Sequence, residues 1–344
     1  YRGTAMHMSM FLGHVTSDEL GKIIASSKTK SAGNDDIKAN VIKMVGMAIA
    51  APLLHVLNLS FKQGVFPDKL KPAVISPIHK QGQKCLLKNY RPVSVLCVLS
   101  KVFEMVMANR LKHFLKTYKV LSENQYGFRE GHSTDLALVD VVDTILKALD
   151  DKMYIVGVYM DLAKAFDTIS HDILLQKLNH YGIQGPSYNW FKSYLTNRPQ
   201  TVKWGDKVSN ARNVVCGIPQ GSIIGPILFI LYINDLPKVS QSLSFTLFAD
   251  DTNIFMKGND LHETVHVLNS ELDKIAVWFR TNKLSLNIAK TKYMVFSKKH
   301  IPPDISVKIG GCEIERVHST KFLGVILDDK MPWREHIEYI NNKM

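Results

Sequence analysis

Two adjacent carboxylates, Asp250 and Asp251, constrain what this chain can fold into more than any other feature. They follow one short apolar run, residues 243–247, and precede another, residues 254–256. Two such runs around a few polar residues are typical of a hairpin. Like charges at the tip of a hairpin repel each other, and a divalent cation would compensate them. Asp pairs are also common in solvated turns, so the pair by itself leaves both interpretations open.

A third carboxylate, Asp161, directly follows an almost unbroken apolar run, residues 154–160. Such a run predicts a strand buried on both faces, and a charged residue at its end is well placed to line a cleft. The helical pattern that follows begins at Ser170 and ends at Gly182. An ordinary strand-end Asp is the alternative. Together, however, the three side chains would supply enough oxygen ligands for two hard cations.

The charge of the chain indicates a polyanionic partner, and nucleic acid is the first to consider. The 344 residues carry a formal net charge of +12, but the lysines are scattered, so charge alone does not decide. The four cysteines form no CxxC pair, which indicates neither a zinc site nor a disulfide framework. The apolar stretch at residues 44–57 is predicted to be too short to span a membrane. Because the chain begins without Met and stops inside a helical pattern, we expect a fragment.

The periodicity of apolar residues predicts an α+β fold, an antiparallel sheet backed by long helices. The predicted helices cover residues 37–62, 100–115, 134–149, 170–181, 223–235 and, after a capping box of Asp260 and Glu263, 261–279. The predicted strands cover residues 73–78, 293–297, 307–309 and 321–327, with a hairpin over 202–215 that turns at Gly205 and Asp206.

Several motifs, in their order and spacing, resemble the reverse transcriptase of non-LTR (LINE-type) retrotransposons, and most closely the jockey-like group. Residues 161–167 resemble the first palm motif of that family, 217–222 the second, and 248–251 its catalytic hairpin. Residues 284–292 are similar to the following palm motif, and 322–325 with Trp333 and His336 to the primer grip. Residues 89–94 and 125–129 are similar to fingers motifs. The resemblance extends from about Lys30 to the C-terminus.

The resemblance implies a right-hand polymerase fold with fingers, a palm and a truncated thumb. It implies an N-terminal extension over residues 1–58, fingers with the start of the palm over 59–150, and a palm over 151–300 that contains a fingers insertion at about 180–212. Residues 301–344 would form the primer grip and the start of the thumb.

It also implies an RNA-directed DNA polymerase of a LINE-type retrotransposon, which extends a DNA primer on an RNA template with dNTPs by two-metal nucleotidyl transfer. Asp161, Asp250, Asp251 and the backbone carbonyl of Leu162 would bind Mg²⁺, with Mn²⁺ as the alternative ion. Asp161 and Asp250 would bridge both ions, and Asp251 would support the ion that activates the primer 3′ hydroxyl.

The resemblance further implies which residues contact the incoming nucleotide. Phe166 would lie under its sugar and exclude a 2′ hydroxyl by its size, although a core Phe is the alternative. Gln220 and Gly221 would contact the nucleotide and the template base, or simply form a turn before the next helix. Lys80 and Arg91 would close over the triphosphate, unless they are ordinary solvated side chains.

The resemblance also assigns roles to six further residues. Lys290 would act as a general acid or phosphate contact near the leaving pyrophosphate, with Lys292 as its competitor. Asp167 is interpreted as structural rather than a metal ligand. Phe128, together with Tyr126 and Arg129, would stack on or flank the template strand, with core packing as the alternative for the two aromatic rings.

Two other functions share parts of this pattern. The reverse transcriptase of a group II intron or retron has the same three-carboxylate core, but residues 283–292 and 322–336 favour the LINE type. A decayed copy that only binds RNA is the other alternative, although the three carboxylates, Phe166 and Gln220 are all present. We expect no membrane partner, a linked endonuclease domain outside this fragment, and a location in the nucleus, the cytoplasm or both.

Overall fold

The structure is a computed structural model that describes residues 9–27 and 31–344. Within these residues the α-helices are α1 Ser17–Ser26, α2 Ala39–Gln63, α3 Val98–Thr117, α4 Thr134–Asp150, α5 His171–His180, α6 Gly185–Leu195, α7 Gly225–Ile233, α8 Leu261–Thr281 and α9 Arg334–Asn341. The strands are β1 Ala73–His79, β2 Tyr90–Leu96, β3 Tyr154–Met160, β4 Arg198–Trp204, β5 Lys207–Val208, β6 Arg212–Val214, β7 Ser244–Phe248, β8 Asp251–Gly258, β9 Lys292–Phe296, β10 Lys308–Ile309, β11 Cys312–Glu313, β12 Glu315–Arg316, β13 Ser319–Phe322 and β14 Val325–Asp328. Of the predicted N-terminal extension, residues 1–8 and 28–30 lie outside the described residues, and Lys30 with them.

Each predicted helix has a counterpart in the structure, and local hydrogen bonds explain where helices begin and end. Asp260 caps α8 by accepting the backbone N–H of Glu263 at 2.8 Å, as the sequence predicts. Helix α7 begins at Gly225 rather than at residue 223 because a turn precedes it. In that turn the hydroxyl oxygen of Ser222 accepts the N–H of Gly225 at 3.1 Å and caps the helix.

One predicted strand, residues 321–327, is wrong: the structure has a hairpin there. Strands β13 and β14 pair antiparallel, with Phe322 opposite Val325. Leu323 and Gly324 form the two-residue loop, with φ of 46° and 95°. Positive φ at both loop residues matches the twist of a tight hairpin. The apolar side chains on both sides of the loop concealed this turn in the sequence.

The prediction that the apolar segment near residue 44 is too short for a membrane span is also wrong. Helix α2 has 25 residues, and Pro52 lies inside it without ending it. In the described part of the chain, α2 is the one helix that is long and apolar enough to cross a membrane by these two criteria. Length and composition are weak grounds for a membrane partner, since core helices of globular proteins meet the same criteria.

The chain divides into two compact units, neither of which is continuous in sequence. We call one the Asp161 unit; it contains Ser122–Ala165 and Ile233–Met344. We call the other the Phe166 unit; it contains the described residues up to Leu121 together with Phe166–Tyr232. The predicted domain boundaries, among them a palm over residues 151–300 with a fingers insertion at about 180–212, stay a prediction.

The Asp161 unit is built on a five-stranded sheet in the order β12-β9-β3-β8-β7. The central strand β3 pairs antiparallel with both β8 and β9. Helices α4 and α8 pack on β3, and the core includes Ile145, Tyr159, Phe255 and Phe296. Burial on both faces explains why β3 is apolar along nearly its whole length.

The Phe166 unit has its own five-stranded sheet, in which β1 lies between β2 and β4. Strand β1 is antiparallel to β2 and parallel to β4. The hairpin of β4 and β5 turns between Trp204 and Lys207, as predicted. The ring of Phe66 packs edge to face on the rings of Trp190 and Tyr194 in α6, with ring centroids 5.2 and 5.1 Å away. The two units together have the predicted α+β character.

Candidate active site

The three candidate carboxylates lie at one end of the sheet in the Asp161 unit, where β3 ends and β8 begins. Met160 at the end of β3 pairs with Thr252 of β8, so Asp161 and Asp251 come next along the two paired strands. Phe248 pairs with Asp251, and Ala249 and Asp250 form the tight turn between β7 and β8. The predicted hairpin is therefore present, and its tip lies beside the end of the predicted buried strand.

The negative charges at this end of the sheet repel one another, as the sequence predicts. Burial of its carboxyl group is the largest cause that raises the pKa of Asp251 to about 6, although part of the residue is exposed to solvent. The negative charges of Asp250 and Asp161 raise this pKa further. The three carboxylates therefore favour the binding of positive charge, whether a proton or a cation.

The donor set fits a divalent cation of the magnesium type. No group of three or more His, Cys, Asp or Glu side chains within residues 9–27 and 31–344 is arranged so that it could hold a metal by itself. Mg²⁺, however, usually takes only one or two protein carboxylates and keeps water and substrate phosphates as its other ligands. The raised pKa of Asp251, caused first by burial and then by the charges of Asp250 and Asp161, is consistent with such an incomplete protein site. The role of the Leu162 carbonyl stays a prediction.

A loop over residues 285–291 holds Asp161 in place. The backbone N–H of Asn287 donates to the backbone carbonyl of Asp161 at 2.8 Å. The side-chain amide of Asn287 donates to Oδ2 of Asp161 at 3.0 Å. One carboxylate oxygen of Asp161 is thereby bound to a neutral donor, which fixes the direction of the other. No role was predicted for Asn287; its only signal in the sequence is its place in the palm-like motif over residues 284–292.

The structure separates the two competing lysines. Lys290 Nζ lies 4.0 Å from Oδ2 of Asp161, and both side chains are partly exposed. The Lys292 ammonium instead pairs with Glu315 and donates to the carbonyl of Ala289 at 2.8 Å. Lys290 is therefore the lysine next to the carboxylates, while Lys292 is held at the neighbouring strand β12.

The three predicted template contacts also belong to the Asp161 unit. Phe128 has a φ of 56° and its side chain is 51% exposed, which excludes core packing for this ring. Tyr126 is half-buried and packs edge to face on His132, with the centroids 5.6 Å apart. Arg129 is bound to its own segment, because Nη1 donates to the carbonyl of Ser122 at 2.9 Å. Only Phe128 of the two aromatics thus presents an exposed ring.

In the Phe166 unit, Phe166 fits both of its interpretations. Its ring stacks on the buried ring of Phe229 in α7, with centroids 4.5 Å apart and planes 24° apart. The residue is nevertheless half-buried, so part of its side chain is exposed. The carbonyl of Phe166 also accepts the N–H of Ile218 at 2.9 Å, which joins it to the loop over residues 217–222.

Gln220 and Gly221 lie in that loop, and their backbone is tied to β2. The N–H of Ser94 donates to the carbonyl of Gln220 at 2.7 Å. Gly221 has a φ of 112°, and a Cβ there would come within 2.8 Å of the Ser94 carbonyl, so only glycine fits. Nε2 of Gln220 donates to Oδ1 of Asp167 at 2.8 Å. Asp167 thus orients the amide of Gln220, which agrees with a structural rather than a metal-binding interpretation.

The two basic residues predicted to bind the triphosphate lie at the end of one hairpin. Arg91 in β2 is opposite Ile78 in β1, and the N–H of Lys80 donates to the carbonyl of Asn89 at 2.9 Å. Both residues are exposed. The fold thus brings Lys80 and Arg91 to the same end of a hairpin whose strand β2 also binds the Gln220 loop.

Comparison with known proteins indicates one family. Residues 78–327 match the family described as "Reverse transcriptase (RNA-dependent DNA polymerase)". The chain is 30% identical over 347 residues to "Probable RNA-directed DNA polymerase from transposon X-element" of Drosophila melanogaster, which covers 99% of this chain. It is 30% identical over 345 residues to the corresponding polymerase from transposon BS and 29% identical over 351 residues to that from mobile element jockey, both of Drosophila melanogaster; these cover 97% and 99% of this chain. The chain spans 38% of the length of each of these relatives.

Proposed function

The chain belongs to the reverse transcriptase (RNA-dependent DNA polymerase) family, and we propose that it extends a DNA primer along an RNA template with dNTPs. The observation that carries this proposal is the convergence of Asp161, Asp250 and Asp251 at one end of the sheet in the Asp161 unit, where burial and the charges of Asp250 and Asp161 raise the pKa of Asp251. The names of the relatives, which are polymerases of transposons, favour a LINE-type element over a group II intron or a retron.

Reverse transcriptase domains generally use divalent metal ions. We assign Mg²⁺ to this site, with Mn²⁺ as the alternative, and Asp161, Asp250, Asp251 and the Leu162 carbonyl as its protein ligands. Bound ions of this kind stabilise the attacking and leaving oxygens of an in-line displacement at the α-phosphate. The contribution of the protein is to hold the carboxylates in place, and the amide of Asn287 does so for Asp161.

Lys290 is placed to serve the leaving group. Its ammonium lies near Asp161 without a close contact, so it is free to turn toward a pyrophosphate oxygen, where it would offset negative charge or donate a proton. The partly exposed ring of Phe166 would exclude a ribonucleotide 2′ hydroxyl by its size. The Gln220 amide and the glycine backbone at 221 would contact the nucleotide and template base, and Lys80 and Arg91 the triphosphate.

We assign the fingers with the start of the palm to residues 59–150 and the palm to residues 151–300, with a fingers insertion at about 180–212. The primer grip and the start of the thumb are assigned to residues 301–344. An RNA template, a DNA primer and dNTPs are the partners that follow from this function. A linked endonuclease domain, and a location in the nucleus or cytoplasm, follow only from the resemblance to LINE-type elements.

Primer extension on poly(rA) annealed to oligo(dT), with dTTP and Mg²⁺ or Mn²⁺, tests the proposal. We expect incorporation by the wild-type chain and none by Asp250→Asn, which removes one negative charge and keeps the size of the side chain. Filter binding of the same template is measured in parallel. A wild-type chain that retains the template but never extends the primer would support the decayed, RNA-binding alternative instead.

A further inference from the structure

A short segment of the Asp161 unit, residues 124–127, lies alongside strand β7 close to the tight turn. The N–H of Leu247 donates to the carbonyl of Asn124 at 2.8 Å, and the N–H of Tyr126 donates to the carbonyl of Leu247 at 2.8 Å. Gln125 and Leu247 thus form a parallel bridge at the edge of the sheet. The segment therefore pairs with β7 at Leu247, one residue before the strand ends.

The side chain of Gln125 reaches into the turn itself. It is fully buried, and its Oε1 accepts the N–H of Gly127 at 2.8 Å and the N–H of Ala249 at 3.3 Å. Both partners are donors, so the oxygen rather than the nitrogen must face them. In the described part of the chain, Nε2 of Gln125 is buried without a hydrogen-bond partner. The buried, unpaired Nε2 is unfavourable, so the favourable hydrogen bonds of the Gln125 amide are those that its Oε1 accepts.

The backbone that Gln125 binds is strained. Ala249 has a φ of 57°, a left-handed conformation that residues with a Cβ rarely adopt. Gly127 is packed against it so closely that a Cβ at position 127 would lie 2.3 Å from the Ala249 nitrogen. Ala249 is the residue immediately before Asp250, and its conformation decides where the carboxylates of the turn point.

We propose that Gln125 is a positioning residue for nucleotidyl transfer: its side-chain oxygen holds the left-handed turn that presents Asp250 and Asp251. This inference rests on the proposed polymerase function. Without the acceptor, the Ala249 N–H is left buried and unpaired, and the turn relaxes toward a conformation with negative φ. The two carboxylates then move relative to Asp161, which lies on a different strand.

The variants Gln125→Met and Gln125→Glu separate the acceptor from the bulk of the side chain. Met is similar in length but lacks the acceptor, whereas Glu retains an acceptor oxygen at the same distance from the backbone. Asn253→Ala is the matched control, because Asn253 is a buried amide of the same hairpin whose Nδ2 donates to the Thr246 carbonyl, away from the turn. Extension of oligo(dT) on poly(rA) gives kcat and the KM for dTTP, and thermal unfolding with and without Mn²⁺ gives a second readout.

We expect Gln125→Met to lower kcat by about 10- to 100-fold with the KM for dTTP nearly unchanged, since carboxylate placement and not nucleotide binding is disturbed. It should also reduce the increase in Tm that Mn²⁺ causes. Gln125→Glu keeps an acceptor oxygen but adds a buried carboxyl group beside Asp250, so it should retain more of kcat than Gln125→Met without reaching that of the wild type. Asn253→Ala should lower Tm without a comparable loss of kcat. If Gln125→Met does not fold, Gln125→Asn, whose shorter side chain withdraws the acceptor, should show the same loss.

Two outcomes overturn the inference: a kcat of Gln125→Met, or of Gln125→Asn in its place, close to that of the wild type, or an equal loss of kcat in Asn253→Ala. A wild-type chain that never extends a primer would reject the proposed function instead. The Mn²⁺-dependent change in Tm still decides the role of Gln125 in that case, and an equal change in wild type and Gln125→Met would reject it.

Discussion

Replacement of Asp251 by Asn should stabilise the protein when no divalent cation is present. The pKa of Asp251 is raised from 3.8 to about 6 by burial and by the charges of Asp250 and Asp161. A shift of about 2 units corresponds to about 3 kcal/mol. Because the residue is partly exposed, solvent screening reduces this to about 1 kcal/mol. The neutral amide removes this unfavourable charge, so the free energy of unfolding at pH 7.5 should rise by about 1 kcal/mol.

The pH dependence gives the sharper test of the same reasoning. Between pH values near 3.8 and 6 the folded protein binds more protons at Asp251 than the unfolded chain does, so this residue makes stability fall as the pH rises through that range. Carboxylates remote from Asp251 contribute different slopes, but these cancel in the difference between the wild type and Asp251→Asn. The variant also relieves the repulsion that Asp250 and Asp161 feel from Asp251, which acts in the same direction. The stability advantage of the variant should therefore be absent near pH 4 and fully present above pH 7.

Urea unfolding followed by tryptophan fluorescence, in EDTA and at several pH values, measures this difference. Mg²⁺ or Mn²⁺ should reverse the order of stability, because a cation that binds only the folded wild type stabilises it by mass action. An Asp251→Asn variant that is less stable than the wild type in EDTA would refute the unfavourable charge at Asp251. A difference in the free energy of unfolding that does not change with pH would refute it as well.

Three further predictions concern the substrate and positioning roles. Phe166→Val should lower the preference for dTTP over UTP by about 10-fold or more, and an unchanged ratio of kcat/KM would remove its role as a steric gate. Lys290→Ala should slow incorporation by about 10-fold, whereas Lys292→Ala should only loosen strand β12; equal, mild effects would reject both as catalytic groups. Asn287→Ala should lower kcat by about 10-fold in primer extension, while Asn269→Ala, whose amide donates to the Ser306 carbonyl, should not; a normal kcat for Asn287→Ala would show that Asp161 needs no such hydrogen bond.

The family was predictable from the sequence, and the comparisons confirm it. The local elements were predictable too, because the signals for a helix, strand or turn lie within a few neighbouring residues. Apolar runs around Asp250 and Asp251 gave the hairpin, and the Asp260 cap gave the start of α8. The strand expected over 321–327 failed because a tight turn can carry apolar residues and leave no polar signal.

The contacts that hold the site together were not predictable in this way. Gln125 and Ala249 are 124 residues apart, and Asn287 and Asp161 are 126 residues apart. Neither side chain differs in type from many solvated Gln and Asn residues. Only the folded chain shows which backbone N–H or carboxylate each one reaches.

By itself, the sequence determined which groups carry the chemistry, because side-chain type and spacing along a strand or turn are local properties. Asp161 at the end of an apolar run and Asp250 with Asp251 at a hairpin tip follow from such spacing. The tertiary structure alone decided how those carboxylates are held. The left-handed Ala249, the acceptor oxygen of Gln125 and the amide of Asn287 act across strands that are distant in sequence, and hydrogen bonding depends on distance in space.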